Sequence, residues 1–479
     1  MINPPVLFLP IIEWSFRHQR PQQLARCFSR AGCRVYYPAL GLKSEALPAH
    51  LVEGSIWRFA LRGRADFDPY RDRMTREDVE LAFASLVQAL PGGSLEGAWI
   101  IVQLPTWRPL AERIREAFRG AIVFDCLDDY AAFSEHSDLR DEEHRLAATA
   151  DLVVATAEAL HARLAPLARR AVIIHNGCDP EHFAPIVARA RADAAALAAT
   201  SPTIGYFGGI HDWFDAELVA ALADARPAWR FVLAGDTFHC DVAPLLGRAN
   251  VALLGEVPYA ELPRVVSSFD LGLIPFRINA LTAATNPVKV YEMLAAGLPV
   301  VAADLPELRP LAPWVAIAHT VDEYLLAIER ALAEPEGERR RRSRFAAEHA
   351  WSRRFWDLRR AMDDARPAGA ALVHSVGLPG PLNDDGSVAE RWPPTERLSA
   401  ALESLARLGA DRAALIEERD RAHVDLHSLI EQRDRVAAEA RRLHAELERV
   451  EAERRTLEQE TLERAARGRW GSLRRWLAR

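Results

Sequence analysis

Lysine is almost missing from this chain. Of its 60 basic residues two are lysines, Lys43 and Lys289, and the other 58 are arginine. Against that bias a retained lysine is informative. Lys43 reads as a loop residue, whereas Lys289 stands at the start of a helix and reads as functional. Cysteine is also scarce. The five residues Cys27, Cys33, Cys126, Cys178 and Cys240 form neither a CxxC pair nor an even framework, which excludes a disulfide-stapled scaffold and predicts reduced thiols in a cytoplasmic protein. No apolar run reaches the roughly 20 residues that span a bilayer. The opening M-I-N-P-P-V-L-F-L-P-I-I has no basic n-region and is broken by prolines, so it reads as a strand and not a secretory signal. Strong positive charge is absent too: the net charge is -7 and no globular part is strongly basic, which argues against a nucleic-acid partner.

What is present is an apolar, alternating chain of 479 residues with 49% hydrophobic side chains, enough for two or three domains. Residues 1–180 alternate short apolar strands (V-L-F-L, A-W-I-I-V-Q, I-V-F-D-C, D-L-V-V-A-T) with amphipathic helices. Thr75, with Asp78 three residues on, predicts a capping box. Residues 188–199 are alanine-rich and read as helical. A second alternation runs through T-I-G-Y-F-G, R-F-V-L-A-G-D, N-V-A-L-L-G, D-L-G-L-I-P and P-V-V-A-A-D over 181–350, and a closing helix covers 351–366. Near-continuous apolar strands separated by helices mean parallel sheets covered on both faces. The fold class is therefore α/β, with two Rossmann-like doubly wound domains whose strand ends face a shared cleft. Residues 367–396 turn to Pro, Gly, Ala and Asp, a linker. Over 397–466 one heptad position is steadily apolar (Leu408, Leu415, Leu429, Val436, Leu443, Val450, Leu457) while its companion mixes Leu with Arg. This predicts a coiled-coil helix and self-association. The tail, 467–479, sets Trp470, Leu473, Trp476 and Leu477 among arginines, a pattern suited to an anionic membrane surface as well as to a plain soluble end.

The stretch T-N-P-V-K-V-Y-E-M-L-A-A-G-L-P-V-V (285–301) concentrates the chemistry. Asn286 is expected to cap a helix, Pro287 to open it, and Gly297 with Pro299 to end it. Lys289 beside a helix N-terminus suits a phosphate. Glu292, one turn deeper on the same face, suits a sugar's hydroxyls. Phosphate next to ribose describes a nucleotide. A second constellation, F-D-C-L-D-D-Y-A-A-F (124–133), ends a strand and offers Asp125, Asp128 and Asp129 as a general base. It lacks the further oxygen ligands that a metal site needs.

The 285–301 stretch resembles the donor segment of GT-B glycosyltransferases, in particular family-4-like enzymes (the glycosyltransferase family 1 type) of bacterial surface polysaccharides, close to those of teichuronic-acid pathways. The resemblance implies that Lys289 meets the diphosphate and Glu292 the ribose, with Asn286 in the same donor site. Most family-4 members carry a further glutamate eight residues earlier, where this chain has Ala284. I-H-N-G-C-D-P-E-H-F (174–183) looks like the hinge between the two domains. I-G-Y-F-G-G-I-H-D-W-F-D (204–215) looks like the first donor-domain loop, in which Gly208 and Gly209 admit a phosphate. The loop's usual Arg and Lys are replaced by Gly209 and Phe214, so Lys289, helix N-termini and Arg277 are left to supply positive potential. Asp236 and Glu256 are further candidates for nucleotide contacts. W-S-F-R-H-Q-R-P-Q-Q-L-A (14–25) is similar to a W-x-x-R-x-Q-R-P-x-x-L-A signature, which places Trp14, Arg17, His18 and Gln19 on the acceptor side. Asp128, Asp129 and His18 are the catalytic candidates. The expected activity moves a sugar from a nucleotide donor to a glycan or lipid-linked acceptor, without cofactor or metal, in the cytoplasm or peripheral to the inner face of the plasma membrane. A sugar-nucleotide epimerase of the same architecture, and a degenerate transferase serving as a coiled-coil assembly protein, are the alternatives.

Overall fold

In a computed structural model the described residues are 3–90, 94–130, 138–187, 201–237 and 240–366. The alanine-rich stretch, the linker, the heptad segment and the basic tail lie outside them. The first half is an eight-stranded sheet in the order β3-β4-β2-β1-β5-β6-β7-β8. Its strands are β1 (Val6–Leu9), β2 (Val35–Lys43), β3 (Leu47–Glu53), β4 (Ile56–Arg62), β5 (Trp99–Val102), β6 (Ala121–Cys126), β7 (Leu152–Ala155) and β8 (Ala171–Ile173). The second half has six, β11-β10-β9-β12-β13-β14: β9 (Thr203–Phe207), β10 (Arg230–Ala234), β11 (Val251–Gly255), β12 (Leu271–Ile274), β13 (Val300–Ala303) and β14 (Val315–Ala318). The second sheet's order, third-second-first-fourth-fifth-sixth, is that of a doubly wound nucleotide fold.

Alternation decides which face each side chain serves. Leu7 and Leu9 enter one core with Tyr36, Ile100 and Phe124, while Val6 and Phe8 enter another with Tyr37, Trp99 and Val123. Every residue of β1 and β5 is buried, as parallel strands covered on both sides require. The first sheet departs from the all-parallel expectation at its edge, where β3 pairs antiparallel with β4. β3 is exposed at five of its seven positions and carries Pro48, so neither periodicity nor propensity marked it. Lys43 consequently closes β2 rather than sitting in a loop. The capping box at Thr75 is present, with Asp78 N donating to Thr75 Oγ1 at 3.1 Å and Thr75 N donating to Asp78 Oδ2 at 2.9 Å.

The chain crosses between the halves twice, and the crossings lie side by side. Cys178 N donates to the His349 carbonyl at 3.1 Å, and Trp351 N donates to the Cys178 carbonyl at 2.9 Å. A Cβ on Gly177 would come within 2.5 Å of the His349 oxygen, so this glycine serves a close backbone approach. The helix Trp351–Ala365 then returns to the first half. Its Trp351, Phe355, Leu358 and Met362 share a core with Val6, Phe8 and Phe28. The second half is thereby held to the first at both ends, and the cleft between them gets a fixed floor. No described helix is long and apolar enough to cross a membrane.

Candidate functional site

The C-terminal ends of the two sheets face each other across a cavity of about 940 Å³. From the first half it takes the 15–20 loop after β1 and Asp128 after β6. From the second it takes the loops after β9, β10 and β11, and the helix Val288–Ala295. Sites of this kind lie where strand order reverses.

Lys289 occupies the first turn of that helix. Its Nζ lies over two aromatic rings, 5.5 Å from the centre of Tyr206 and 5.2 Å from that of Phe276. Gly208, at φ +120°, passes so near that a Cβ there would sit 2.5 Å from Lys289 Cε, which requires glycine. Burial pulls the Lys289 ammonium down to about 8, opposed by Glu292 and Asp128 and reinforced by Arg17. Glu292 is buried, and burial pushes its carboxyl up to about 7 against the pull of Lys289. Asp128 keeps an edge open to the cavity, yet its enclosure also raises it to about 7. The Thr285 hydroxyl donates to its Oδ1 at 3.4 Å from the opposite half. The site thus gathers one lysine and two carboxylates, each near the point of changing charge at neutral pH, as acid–base machinery needs.

His18, Gln19, Gly208 and Gly209 also line the cavity. His18 is held down to about 4, first by burial and then by Arg26, so its imidazole is neutral at pH 7. It stacks on Tyr259 at 5.2 Å, and His182 stacks on Tyr259 at 4.2 Å. Among the described residues the His18 Nε2 is buried without a hydrogen-bond partner. The Tyr259 contact, drawn from the other half, had no sequence signal.

Several expectations are corrected. Asn286 does not cap the helix: Pro287 holds the cap position and no side-chain cap bond forms. The Asn286 side chain is buried, accepting from Asn176 N at 3.0 Å and donating to Tyr291 and Glu307, so it ties the halves together at the cavity's edge. Asp125 is not available as a base. It is fully buried, accepts from Arg20 Nη2 at 2.8 Å and from Gln103 at 3.0 Å, while Arg20 also donates to the Ile174 carbonyl. Asp129 points away from the cavity lining into an ion network with Arg140 at 2.9 Å and Arg163 at 3.1 Å. Trp14 packs edge-on against Tyr37 at 5.2 Å, with Arg26 over its ring, and does not line the cavity. Arg277 stands outside too, beside Asp215. Arg17 does line the cavity from the first half, and its guanidinium crosses to Asp236 and Glu256 of the second.

The Arg20–Asp125 pair is structural and gives a direct test. Arg20→Met strands a buried carboxylate, and is expected to cost about 3–5 kcal/mol in urea unfolding at neutral pH. A loss below about 1 kcal/mol would show that Gln103 and the surrounding groups hold the buried carboxylate without the guanidinium.

Two doubly wound halves around one cleft, with the nucleotide-type sheet second, are the GT-B arrangement. Residues 215–360 match the family model described as Glycosyl transferase-like, so this part of the chain carries a glycosyl-transferase-like domain. Over 236 residues the chain is 27% identical to the "Putative teichuronic acid biosynthesis glycosyltransferase TuaH" of Bacillus subtilis (strain 168), which covers 44% of this chain and 59% of that relative. The chain thus spans about three fifths of that curated relative's length. Among solved structures it resembles sucrose-phosphate synthase from Thermosynechococcus elongatus (TM-score 0.56, 16% identity, covering 76% of this chain and 99% of that one). It also resembles Anabaena HepE in complex with UDP and glucose (TM-score 0.55, 18% identity, 75% and 100% covered). A third is the E. coli trehalose-6-phosphate protein bound with UDP-2-fluoro glucose (TM-score 0.54, 14% identity, 76% and 99% covered). At these identities the likeness establishes the fold.

Proposed function

We propose that the chain is a glycosyltransferase that moves a sugar from a nucleotide-sugar donor to a glycan or lipid-linked acceptor in surface polysaccharide synthesis. The observation that carries the reading is the half-buried Lys289 set against Gly208 at the mouth of a helix, with Glu292 one turn deeper in the same cavity. An ammonium and exposed backbone amides suit a diphosphate, and a carboxylate behind them suits ribose. Support comes also from Anabaena HepE, solved in complex with UDP and glucose, and from the teichuronic acid relative. A transferase, unlike an epimerase, needs room for an acceptor. The cavity continues onto the first half past His18, Gln19 and Asp128. On this reading Lys289 offsets charge on the leaving diphosphate, Glu292 orients the nucleoside, and Asp128 takes the acceptor's proton.

The heptad segment is proposed to pair chains, and the tail to rest on an anionic membrane. One experiment covers both donor and partners. A panel of nucleotide sugars is screened for thermal stabilisation of the full chain and of a chain lacking 396–479, since a ligand that binds only the folded state raises Tm. The same donor is expected to stabilise both, while the truncated chain sediments as a smaller species and no longer pellets with phosphatidylglycerol vesicles. No stabilisation by any donor overturns the transferase reading. Identical sedimentation and pelleting overturns the roles given to the C-terminal segments.

A further inference from the structure

The donor loop has a deficit of positive charge. Among the described residues, Lys289 is the one lysine or arginine on the second half's share of the cavity lining, while Glu256 and Glu292 are both there. A diphosphate arriving on the Gly208–Gly209 loop would therefore meet more negative than positive charge on that wall. The arginines of the first half are mostly committed: Arg20 is locked to Asp125, and Arg26 is paired with Glu53 at 2.8 Å. Arg17 is different. It reaches across the cleft, so close to the loop that a Cβ on Gly209 would lie 3.1 Å from its Nη1. Its Nε and Nη2 each donate to Glu256 at 2.9 Å, and Nη2 also pairs with Asp236. Both carboxylates follow strand ends, Asp236 after β10 and Glu256 after β11. Arg17 and Lys289 are near enough to repel each other. Two like charges are thus held over one glycine loop, and an anion between them would relieve both.

We infer that Arg17 is a donor-phosphate ligand supplied by the opposite half, held by Asp236 and Glu256 while the cleft is empty and transferred to the diphosphate when the donor binds. A guanidinium fork fits two carboxylate oxygens or two phosphate oxygens equally well, so the exchange keeps its hydrogen bonds satisfied. It also couples occupancy to cleft geometry. With a donor bound, the first half is attached to the substrate itself instead of to the second half's carboxylates. The proposal rests on the nucleotide-sugar reading of this cavity and assigns to it a residue from the acceptor half.

The test measures binding of UDP, GDP, ADP, CDP and dTDP, and of the matching nucleosides, to the native chain and to the variants R17A, R17K and E256Q. For whichever diphosphate binds the native chain, R17A is expected to weaken it at least about tenfold and to leave the nucleoside unchanged, because only the phosphates are lost. R17K should recover part of the affinity, since it keeps the charge and loses the fork. E256Q removes a competitor, so it should hold or tighten diphosphate binding; a merely structural Arg17–Glu256 pair would make it mimic R17A. Equal diphosphate affinity in native and R17A chains of matched melting temperature, or an E256Q that weakens as R17A does, overturns the inference alone. If no diphosphate binds the native chain, the nucleotide-sugar reading falls and this inference with it.

Discussion

Replacing Lys289 with methionine is expected to cut transfer about 10²–10³-fold, the cost of removing one preorganised group that stabilises developing charge, and to leave the melting temperature no lower than native. The two effects have one cause. Lys289 is held down from 10.5 to about 8, mainly by burial. The fold thus favours its neutral form, and between those values the unfolded chain binds more protons, so stability rises with pH there. At pH 7 the native state bears the whole penalty of keeping the ammonium charged. Methionine fills the space beside Tyr206 and Phe276 without that penalty. Glu292 and Asp128, already raised to about 7, can take up protons once the counter-charge is gone. Alanine would instead open a void against the two rings, so Lys289→Ala should lose activity and some stability together. Turnover near native in either variant would remove Lys289 from the site. A large fall in Tm for methionine with turnover preserved would reverse the assignment and make the lysine structural.

That Lys289 could be picked out of the sequence has a physical reason. The signals that mark it are local: a helix start, a carboxylate three residues on, and a chain in which every other basic residue but Lys43 is arginine. The parallel strands were legible for the same kind of reason, because β1, β5, β6 and β7 are buried at every position and read as unbroken apolar runs. What failed depended on distant partners. Arg17 sits in a first-half motif, but its carboxylates lie 219 and 239 residues away, and no spacing rule reaches that far. Asn286 has the composition of a cap, yet tertiary bonds to Asn176, 110 residues back, claimed its amide. Asp128 and Asp129 are neighbours, so periodicity could not say which would face the cavity and which would join Arg140 and Arg163. β3 escaped because an exposed edge strand carries no core pattern. Local chemistry and the shared cleft were readable, and the side-chain partners across it were not.

Between the two neighbouring aspartates the structure makes an unequal prediction. Asp128→Asn is expected to lower kcat about 10²–10⁴-fold, the range of a positioned general base, with donor affinity retained because its assigned task is to take the acceptor's proton and not to hold the donor. Asp129→Asn should act through stability instead, by loosening Arg140 and Arg163. The pH profile separates base from bystander. Burial lifts Asp128 from 3.8 to about 7, so the carboxylate that can accept a proton fills only as pH rises through 7, and native turnover should climb across that range. The stability sign runs the other way. A carboxyl raised in the fold binds more protons than in the unfolded chain between about 4 and 7, and its contribution to stability falls as pH rises through that window. Asp128→Asn should therefore flatten the activity limb and melt at or above native at pH 8, once activity and stability are both followed. Glu292 is raised to about 7 as well and could produce the same limb. Glu292→Gln decides the matter: if the rise survives there and vanishes in Asp128→Asn, the base is Asp128. If it vanishes only in Glu292→Gln, the titration belongs to the donor side, and proton removal must be assigned elsewhere in the cleft, with His18 and its unpartnered Nε2 the next candidate.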